Sequence, residues 1–533
     1  MLLEAHIIVF KGSQPFYEKA DEWVESFKKG LHQFKLENKV QVIAIESVVL
    51  KGEKPLVGIY PEEVFYSDLN SNDINCIIEN HFINHTSYEE KRLETIIDED
   101  KDSLKSYKMI SFYNRQLRIS LRNCGIINPY SIDEYIARCG YEALAKSLAL
   151  KDRDIINTVT QSGLRGRGGG GFPTGLKWKF AHQEKNSQKY IICNADEGDP
   201  GAFMDRAILK GDPHSVIEAM IIAGYAIGAT QGYIYVRAEY PIAVERMQKA
   251  IDKAYEYEFL GRDIFNSNFS FDLEIRLGAG AFVCGEETAL IASIEGQRGM
   301  PRNKPPFPAQ KGLWGKPTII NNVETLANIP AILLNGADWF NQIGTKKAKG
   351  TKVFALGGKI NNTGLIEIPM GTTLREVIYD IGGGIPNGRE FKAVQTGGPS
   401  GGCITAKHLD VEIDYDNLVD LGSMMGSGGM IVMDEDDCMP AVAKFYLEFT
   451  EEESCGKCTP CRVGTKRLSE LLQIITEGKG ELKHIDELKR LSRTIKDTAL
   501  CGLGQTAPNP VLSTIEAFGD EYLAHISDKK CPA

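Results

Sequence analysis

Four cysteines near the end of the chain carry its most specific chemical signal. Three stand in Cys455-Gly-Lys-Cys458-Thr-Pro-Cys461, and the fourth is Cys501. Cys-x-x-Cys-x-x-Cys spacing gathers three thiolates around one point as the backbone wraps it. A fourth thiolate from elsewhere completes a set that suits a [4Fe–4S] cluster. Gly502-Leu-Gly504 follows Cys501 and lets the backbone come close. Structural zinc sites pair two separated Cys-x-x-Cys units instead. Ordinary buried thiols are the plain alternative, and spacing this tight argues against it.

A glycine-rich segment is the second signal: Gly163-Leu-Arg-Gly-Arg-Gly-Gly-Gly-Gly-Phe-Pro-Thr-Gly175. Gly166 to Gly171 satisfies G-x-G-x-x-G, but a dinucleotide fingerprint needs a strand before it. Asp152 to Gln161 reads as a helix, so that context fails. What remains is a loop opening a helix at Thr174 to Phe180, whose backbone N–H groups can hold an anion. Arg165, Arg167, Lys177 and Lys179 add positive charge, and Phe172 and Trp178 offer flat surfaces. A flexible loop with no ligand is the bland reading. Two acidic segments follow, Asn194-Ala-Asp196-Glu197-Gly-Asp199 and Gly285-Glu286-Glu287-Thr288. Carboxylates repel phosphate but accept hydrogen bonds from ribose or ribityl hydroxyls or an amide. Taken singly they read as helix caps or surface acids; with the loop they imply a large polar–aromatic ligand.

The elements that must position these groups read as several domains in 533 residues. His6 to Phe10, Val40 to Ile45, Leu56 to Tyr60 and Val64 to Tyr66 read as strands. Tyr17 to Phe34 is a helix with Ala20, Trp23, Val24, Phe27, Leu31 and Phe34 on one face, and Asp73 to His81 a shorter helix. A charged stretch from Tyr88 to Lys108 reads as a solvated connector. Ser131 to Leu148 reads as one helix. Strands at Tyr190 to Cys193 and Gly232 to Val236 alternate with helices at Pro213 to Ile227 and Pro241 to Tyr257, which marks a layered α/β unit. Residues 352–431 are β-rich with a helix at Leu374 to Ile381, and the chain is helical again from Cys438. A net charge of -11 argues against general nucleic-acid binding. The most apolar stretch, Val216 to Ala229, carries Glu218 and is too short to span a bilayer. The start Met1-Leu-Leu-Glu-Ala-His6 is unlike a secretory signal. A cytoplasmic protein is expected. Twelve cysteines in so long a chain are no disulfide framework.

Together these residues resemble one family: the flavin subunit of respiratory complex I and its relatives in NAD-linked hydrogenases, formate dehydrogenases and electron-bifurcating complexes. The matching motifs are residues 166–178, 194–201, 285–290 (Gly-Glu-Glu-Thr-Ala-Leu), 304–308 (Lys-Pro-Pro-Phe-Pro), 321–326 (Asn-Asn-Val-Glu-Thr-Leu) and the cysteine cluster. The resemblance spans roughly residues 130 to 525 and implies a multidomain α/β chain. A thioredoxin-like unit would cover 1–95 and a linker 96–130. A Rossmann-like FMN and NAD(H) domain would cover 131–335, a ubiquitin-like β-grasp (SLBB-type) domain 336–432, and a helical [4Fe–4S] bundle 433–533. It implies FMN held by Gly166, Gly168, Lys177, Asn194, Asp196, Glu197, Gly285, Glu286, Glu287, Ile320, Asn321, Asn322 and Thr325. NAD(H) would meet Phe172, Phe180, Asp199, Lys304 and Phe307, with Glu286 or Glu287 fixing the carboxamide. Asp199 stands where respiratory members often have glutamate, which points to the hydrogenase-type branch.

The thioredoxin-like extension of such members carries a [2Fe–2S] cluster. Here the expected ligand positions, Phe10 to Phe16 and Glu46 to Pro55, hold no cysteine. A retained fold without that cluster is expected. The chain stops at Cys531-Pro-Ala, where longer relatives append a ferredoxin domain, so one cluster is expected. The implied chemistry is hydride exchange between NAD(H) and FMN, then single electrons through the cysteine cluster to partners. Those would be a small [2Fe–2S] thioredoxin-like subunit and a further hydrogenase, formate dehydrogenase or ferredoxin-linked subunit. An NADP(H)-linked flavin subunit and a non-catalytic scaffold are the alternatives. Cys438, His525 and Cys531 could converge on zinc; unpaired buried thiols and a surface histidine are the plainer reading. Cys124, Cys139, Cys193, Cys284 and Cys403 read as core residues.

Overall fold

The structure is a computed structural model, and it describes residues 5–11, 17–37, 39–45, 55–60, 64–92, 111–278 and 280–533. Apolar residues run from Ala5 to Phe10 and make β1, buried along its whole length. It pairs in parallel with β2 (Val40–Ile45) and antiparallel with β3 (Leu56–Tyr60), which pairs antiparallel with β4 (Val64–Ser67). The resulting order β2-β1-β3-β4 is the thioredoxin-like arrangement. Helix Tyr17–Gln33 buries the expected face, Ala20, Trp23, Val24, Phe27 and Leu31, against β1, β2 and the following helix. Val24, Phe27 and Leu31 each contribute about 1.5–3 kcal/mol of burial. The next helix starts earlier than its apolar pattern suggests, at Ser71, because Asn70 and Asp73 form a capping box. Positions 12–16 and 46–54, where this fold would carry its [2Fe–2S] ligands, lie outside the described residues.

Residues 111–130, expected to belong to a linker, are held down. The Glu367 carboxylate accepts from the Ser120 and Leu121 N–H groups at 2.8 and 2.9 Å. Ile119, Leu121 and Ile127 are buried in the largest core. The single helix expected over 131–148 is two, Ile132–Ala137 and Glu142–Leu148. Cys139 and Tyr141 between them take positive φ. The Tyr135 ring fills the space at Gly140, where a Cβ would lie 2.2 Å from it.

The flavin-type unit is a parallel sheet of β5 (Tyr190–Ala195), β6 (Gln231–Arg237), β7 (Asp272–Gly278) and β8 (Thr318–Asn322), in the order β7-β6-β5-β8. Connections proceed one way from β5 to β7, then β8 returns to the other side of β5. The order therefore reverses between β5 and β8, and ligands bind at the carboxyl ends of strands flanking such a point. Helix Pro213–Ile227 starts at a proline and stops at Gly228 with φ 76°. It is apolar on every side because it is enclosed by the core, with Glu218 accepting from the Tyr135 hydroxyl at 2.5 Å.

A second mixed sheet orders β10 (Gly364–Pro369), β9 (Thr351–Gly358), β13 (Gly429–Asp434), β11 (Phe391–Thr396) and β12 (Gly402–Thr405). Its inner pair β9/β13 is parallel and the rest antiparallel, the β-grasp pattern. The helix expected at 374–381 widens into a π-helix over Glu376–Ile381. Helices Met439–Glu452, Thr459–Thr476, Leu482–Thr498 and Asn509–Ala517 close the chain around Leu447, Leu468, Leu472, Leu488, Ile495 and Val511. Among the described residues no helix is long and apolar enough to cross a membrane.

Candidate functional site

Register sets the floor of the site. Cys193 pairs with Asn321 and Asn194 with Asn322, so four polar side chains (Asn194, Asp196, Asn321, Asn322) collect at the carboxyl ends of β5 and β8. Asn322 caps helix Val323–Asn335, accepting from the Glu324 and Thr325 N–H groups, and donates to Asp205 at 2.5 Å. Asn321 accepts from the Trp178 indole at 2.9 Å. Thr325 accepts from the Arg167 N–H at 2.7 Å, which ties the glycine loop to this end of the sheet. The Ile320 carbonyl accepts from Lys177 at 3.0 Å.

The glycine loop follows helix Asp152–Gln161 and opens helix Thr174–Gln183, so the failed dinucleotide context is what the fold shows. Its glycines divide by purpose. A Cβ on Gly169 would meet the Gly426 backbone at 3.2 Å, and one on Gly171 the Tyr415 ring at 2.7 Å. These two let the β-grasp unit approach. A Cβ on Gly170 would meet nothing within 4 Å, and one on Gly166 only Phe172 backbone at 3.6 Å. That side of the loop is open.

Two sequence expectations about the loop are corrected. Arg167 supplies no charge to an anion: it is wholly buried, and its guanidinium donates to the carbonyls of Thr351, Arg165 and Lys349 at 2.9, 2.8 and 2.6 Å. Arg165 donates to Gly171 O at 2.7 Å and lies 4.3 Å over the Tyr415 ring. Both arginines build the loop. Trp178 offers no open flat face either, because it is fully buried. Phe172, Phe180 and Phe307 do stay exposed, at 46%, 45% and 54%.

Glu286 caps helix Glu287–Ile294, accepting from the Thr288 and Ala289 N–H groups at 2.8 and 3.1 Å. Lys304 reaches Glu286 at 2.7 Å and Glu287 at 3.8 Å, and Lys177 bonds Glu287. Burial would push the Glu286 carboxyl up, but Lys304 and Thr288 outweigh it and hold it below its usual range. The pairing joins residues expected at FMN with one expected at NAD(H).

The second acidic segment is buried. Burial pushes Asp196 up to about 7 against the pull of Arg237. Glu197 also rises to about 7 by burial, although its carboxylate accepts from the Asp205 and Arg206 N–H groups at 2.9 and 3.0 Å. Asp199 rises to about 6 and bonds Ser427 of the β-grasp unit. Asp196 Oδ2 and Asp199 Oδ1 are buried without a hydrogen-bond partner. Buried acceptors without a partner suit hydroxyl or amide donors. FMN has that chemistry, and the residues present fit it. Sequence reasoning missed Asp205, Arg237, Lys352 and Glu453, which sit in none of the quoted motifs, and gave no role to Glu324, which stands in the 321–326 motif.

The four cysteines meet at one end of the helical unit. Cys461 feels Cys458, Cys501 and Cys455 as neighbouring charges, and burial raises it to about 11. A Cβ on Gly504 would lie 3.4 Å from Cys461 Sγ, the close approach foreseen for the backbone after Cys501. A second set, Cys438, His525 and Cys531, brings its ligand atoms within 4.8 Å of one another. In the second set His525 Nε2 stands 3.2 Å from Cys438 Sγ. His525 is buried and Cys531 exposed, the reverse of the plainer expectation.

The two centres adjoin. Cys455 and Leu503 pack against one apolar cluster containing Ile192, Val283, Leu290 and Ile320 of the flavin-type unit. Cys501 senses the charge of Glu286. Glu453, two residues before Cys455, accepts from the Phe282 N–H, and Lys457 donates to Pro301 O at 2.6 Å.

Residues 159–331 match the Nuo51 FMN-binding domain. Residues 441–525 match the NADH-ubiquinone oxidoreductase-F iron-sulfur binding region, and 353–404 the SLBB domain. The NADP-reducing hydrogenase subunit HndC of Solidesulfovibrio fructosivorans is 67% identical over 419 residues, which is 79% of this chain and 85% of the relative. The chain belongs to this family of flavin and iron–sulfur subunits. An NADH-quinone oxidoreductase subunit of Escherichia coli (strain K12) is 41% identical over 75% of this chain and 90% of its own length. An NAD+-reducing [NiFe]-hydrogenase in the H2-reduced state superposes on 99% of this chain and 85% of its own, with TM-score 0.68 and 28% identity. Membership makes the chain an oxidoreductase subunit that binds FMN, a [4Fe–4S] cluster and a nicotinamide nucleotide, and passes electrons to partner subunits.

Proposed function

We propose that this chain takes hydride from NADH onto FMN held at the β5/β8 edge and delivers electrons singly through Cys455, Cys458, Cys461 and Cys501. The observation that carries this reading is the adjacency of the two centres. Lys177 is anchored on the Ile320 carbonyl, and Ile320 lies in the same apolar cluster as Cys455. FMN, when bound, takes two electrons together and gives them up one at a time, which a hydride donor and an iron–sulfur acceptor require between them. The chain's own groups orient and exclude. The open glycines and Asn194, Asp196, Asn321 and Asn322 hold the flavin. Glu286 and Glu287, fixed by Lys304 and Lys177, receive the carboxamide. Phe172, Phe180 and Phe307 cover the nucleotide.

The chain purified without oxygen should show a flavin band that bleaches on NADH. A preparation with no flavin band would support a scaffold role instead. Lys177→Ala should lose most of its FMN, and a variant with full occupancy contradicts the assigned contact. A second reading concerns the nucleotide. Because the 67% identical relative is named NADP-reducing, bleaching by NADPH as fast as by NADH would favour the phosphorylated cofactor.

The same likeness supports a hydrogenase-type complex as the setting, with a small [2Fe–2S] subunit near the flavin and a cytoplasmic location. Cys438, His525 and Cys531 suit a zinc ion with a fourth ligand from water or a partner. Purified chain should then hold about one zinc beyond its iron, and His525→Ala should lose it. Zinc retained by that variant removes the assignment.

A further inference from the structure

Arg237 ends β6 beside Asp196, and nothing in the motifs marks it. Glu239 takes its Nε and Nη2 at 2.9 and 3.3 Å. Nη1 is thereby left pointing inward. It lies 3.6 Å from Asp196 Oδ1, with side chains exposed only 13% and 2%. Both Nη1 and Asp196 Oδ2 are buried without a hydrogen-bond partner. Gly198 makes the arrangement possible: a Cβ there would fall 2.2 Å from Nη1. The glycine in Asp196-Glu-Gly-Asp is therefore room for a guanidinium, not ligand contact. On the other side of Asp196, a Cβ on Gly285 would stand 3.7 Å from Oδ2, so that oxygen packs against the Gly285 segment expected at the flavin.

We propose that Arg237 is a positioning residue of the flavin site, holding Asp196 as a carboxylate whose free oxygen accepts a hydrogen bond from the flavin. Because this rests on the flavin reading above, the test must separate the two. The groups facing Asp196 are Arg237, Glu239, Glu453, Asp199, Tyr235 and Cys284, with Glu197 next in the chain. Arg237 is the cation among them. The others are acids, or thiol and phenol groups that stay neutral near pH 7. Burial raises Asp196 and Arg237 opposes the rise, so the accepting form prevails above about pH 7 and is lost as pH falls through that value.

FMN affinity of the full chain, measured by flavin fluorescence from pH 6 to pH 8.5, reads this directly. Wild-type affinity should fall as pH drops through about 7. Arg237→Met should move that fall to higher pH and weaken binding several-fold at neutrality, by up to about tenfold per unit of displacement. Arg237→Lys should restore the wild-type profile. The flavin phosphate also titrates, near about pH 6, but identically in every variant, so ratios cancel it. An Arg237→Met profile that superposes on wild type overturns the proposal while leaving the flavin site intact. If Arg237→Met does not fold, Asp196→Asn decides: loss of the transition supports the proposal and an unchanged profile overturns it. Wild-type chain that binds no FMN at any pH overturns the flavin reading itself.

Discussion

Replacing Cys501 with alanine is expected to abolish the iron–sulfur centre while the flavin still bleaches with NADH. Iron and acid-labile sulfide should fall from about four each per chain toward zero, since a cube needs its fourth thiolate. Loss of a direct ligand should exceed the about 10–100-fold effect typical of residues that only orient ligands. Electron delivery to partner subunits should fall by at least that factor. The separation of effects follows from geometry. Cys501 caps the short helix Gly502–Thr506 in the helical unit, whereas the glycine cradle is built from helix Thr174–Gln183 and from β5 and β8. Cys403→Ala is the control, because that thiol sits in a separate apolar cluster with Ala393, Met433 and Met439. Iron retained in Cys501→Ala, or lost equally in Cys403→Ala, would remove Cys501 from the ligand set.

The second large effect is on stability. Lys352 and Glu324 are wholly buried where β9 meets helix Val323–Asn335. Lys352 donates to Glu324 and to the carbonyls of Val353 and Ser427 at 2.7 and 2.6 Å. Glu324 also accepts from the Val353 N–H at 2.8 Å. Lys352→Met would leave the carboxylate uncompensated, at a cost of about 3–5 kcal/mol. The double variant Lys352→Met, Glu324→Leu should recover much of this, because apolar replacement of a whole pair is often near neutral. Burial already pushes Glu324 up, opposed by Lys352 and Arg167. Without Lys352 its folded-state value rises further above the unfolded one. The penalty should therefore grow as pH rises above the ordinary carboxylate range and ease as acid protonates the group. Urea midpoints of the flavin-releasing transition at pH 5.5 and pH 8 test this. An equal deficit at both would show that charge is not the cause.

Features encoded by neighbours along the chain could be read from it. The cysteine spacing is local, and the structure sets Cys461 among the other three. The face of helix Tyr17–Gln33 followed from its period, and the β-rich stretch from its short strands. Features fixed by distant partners could not be read. Arg165 and Arg167 look like anion ligands in a glycine loop until Lys349, Thr351 and Tyr415 arrive to receive them. The break at Gly140 depends on how the Tyr135 ring packs, and the hold on residues 116–121 depends on Glu367. Arg237 and Lys352 stayed invisible for the same reason. Their meaning lies in Asp196 and Glu324, which stand far from them in the chain.

Reducing the wild-type chain with NADH under argon, while recording flavin absorbance and low-temperature EPR on the same sample, addresses the adjacency of flavin and cluster most directly. The flavin band should fall and a reduced-cluster signal should rise in the same molecules, without any partner subunit present. Flavin that bleaches while the iron stays silent at every NADH concentration, though dithionite reduces it, would contradict the account.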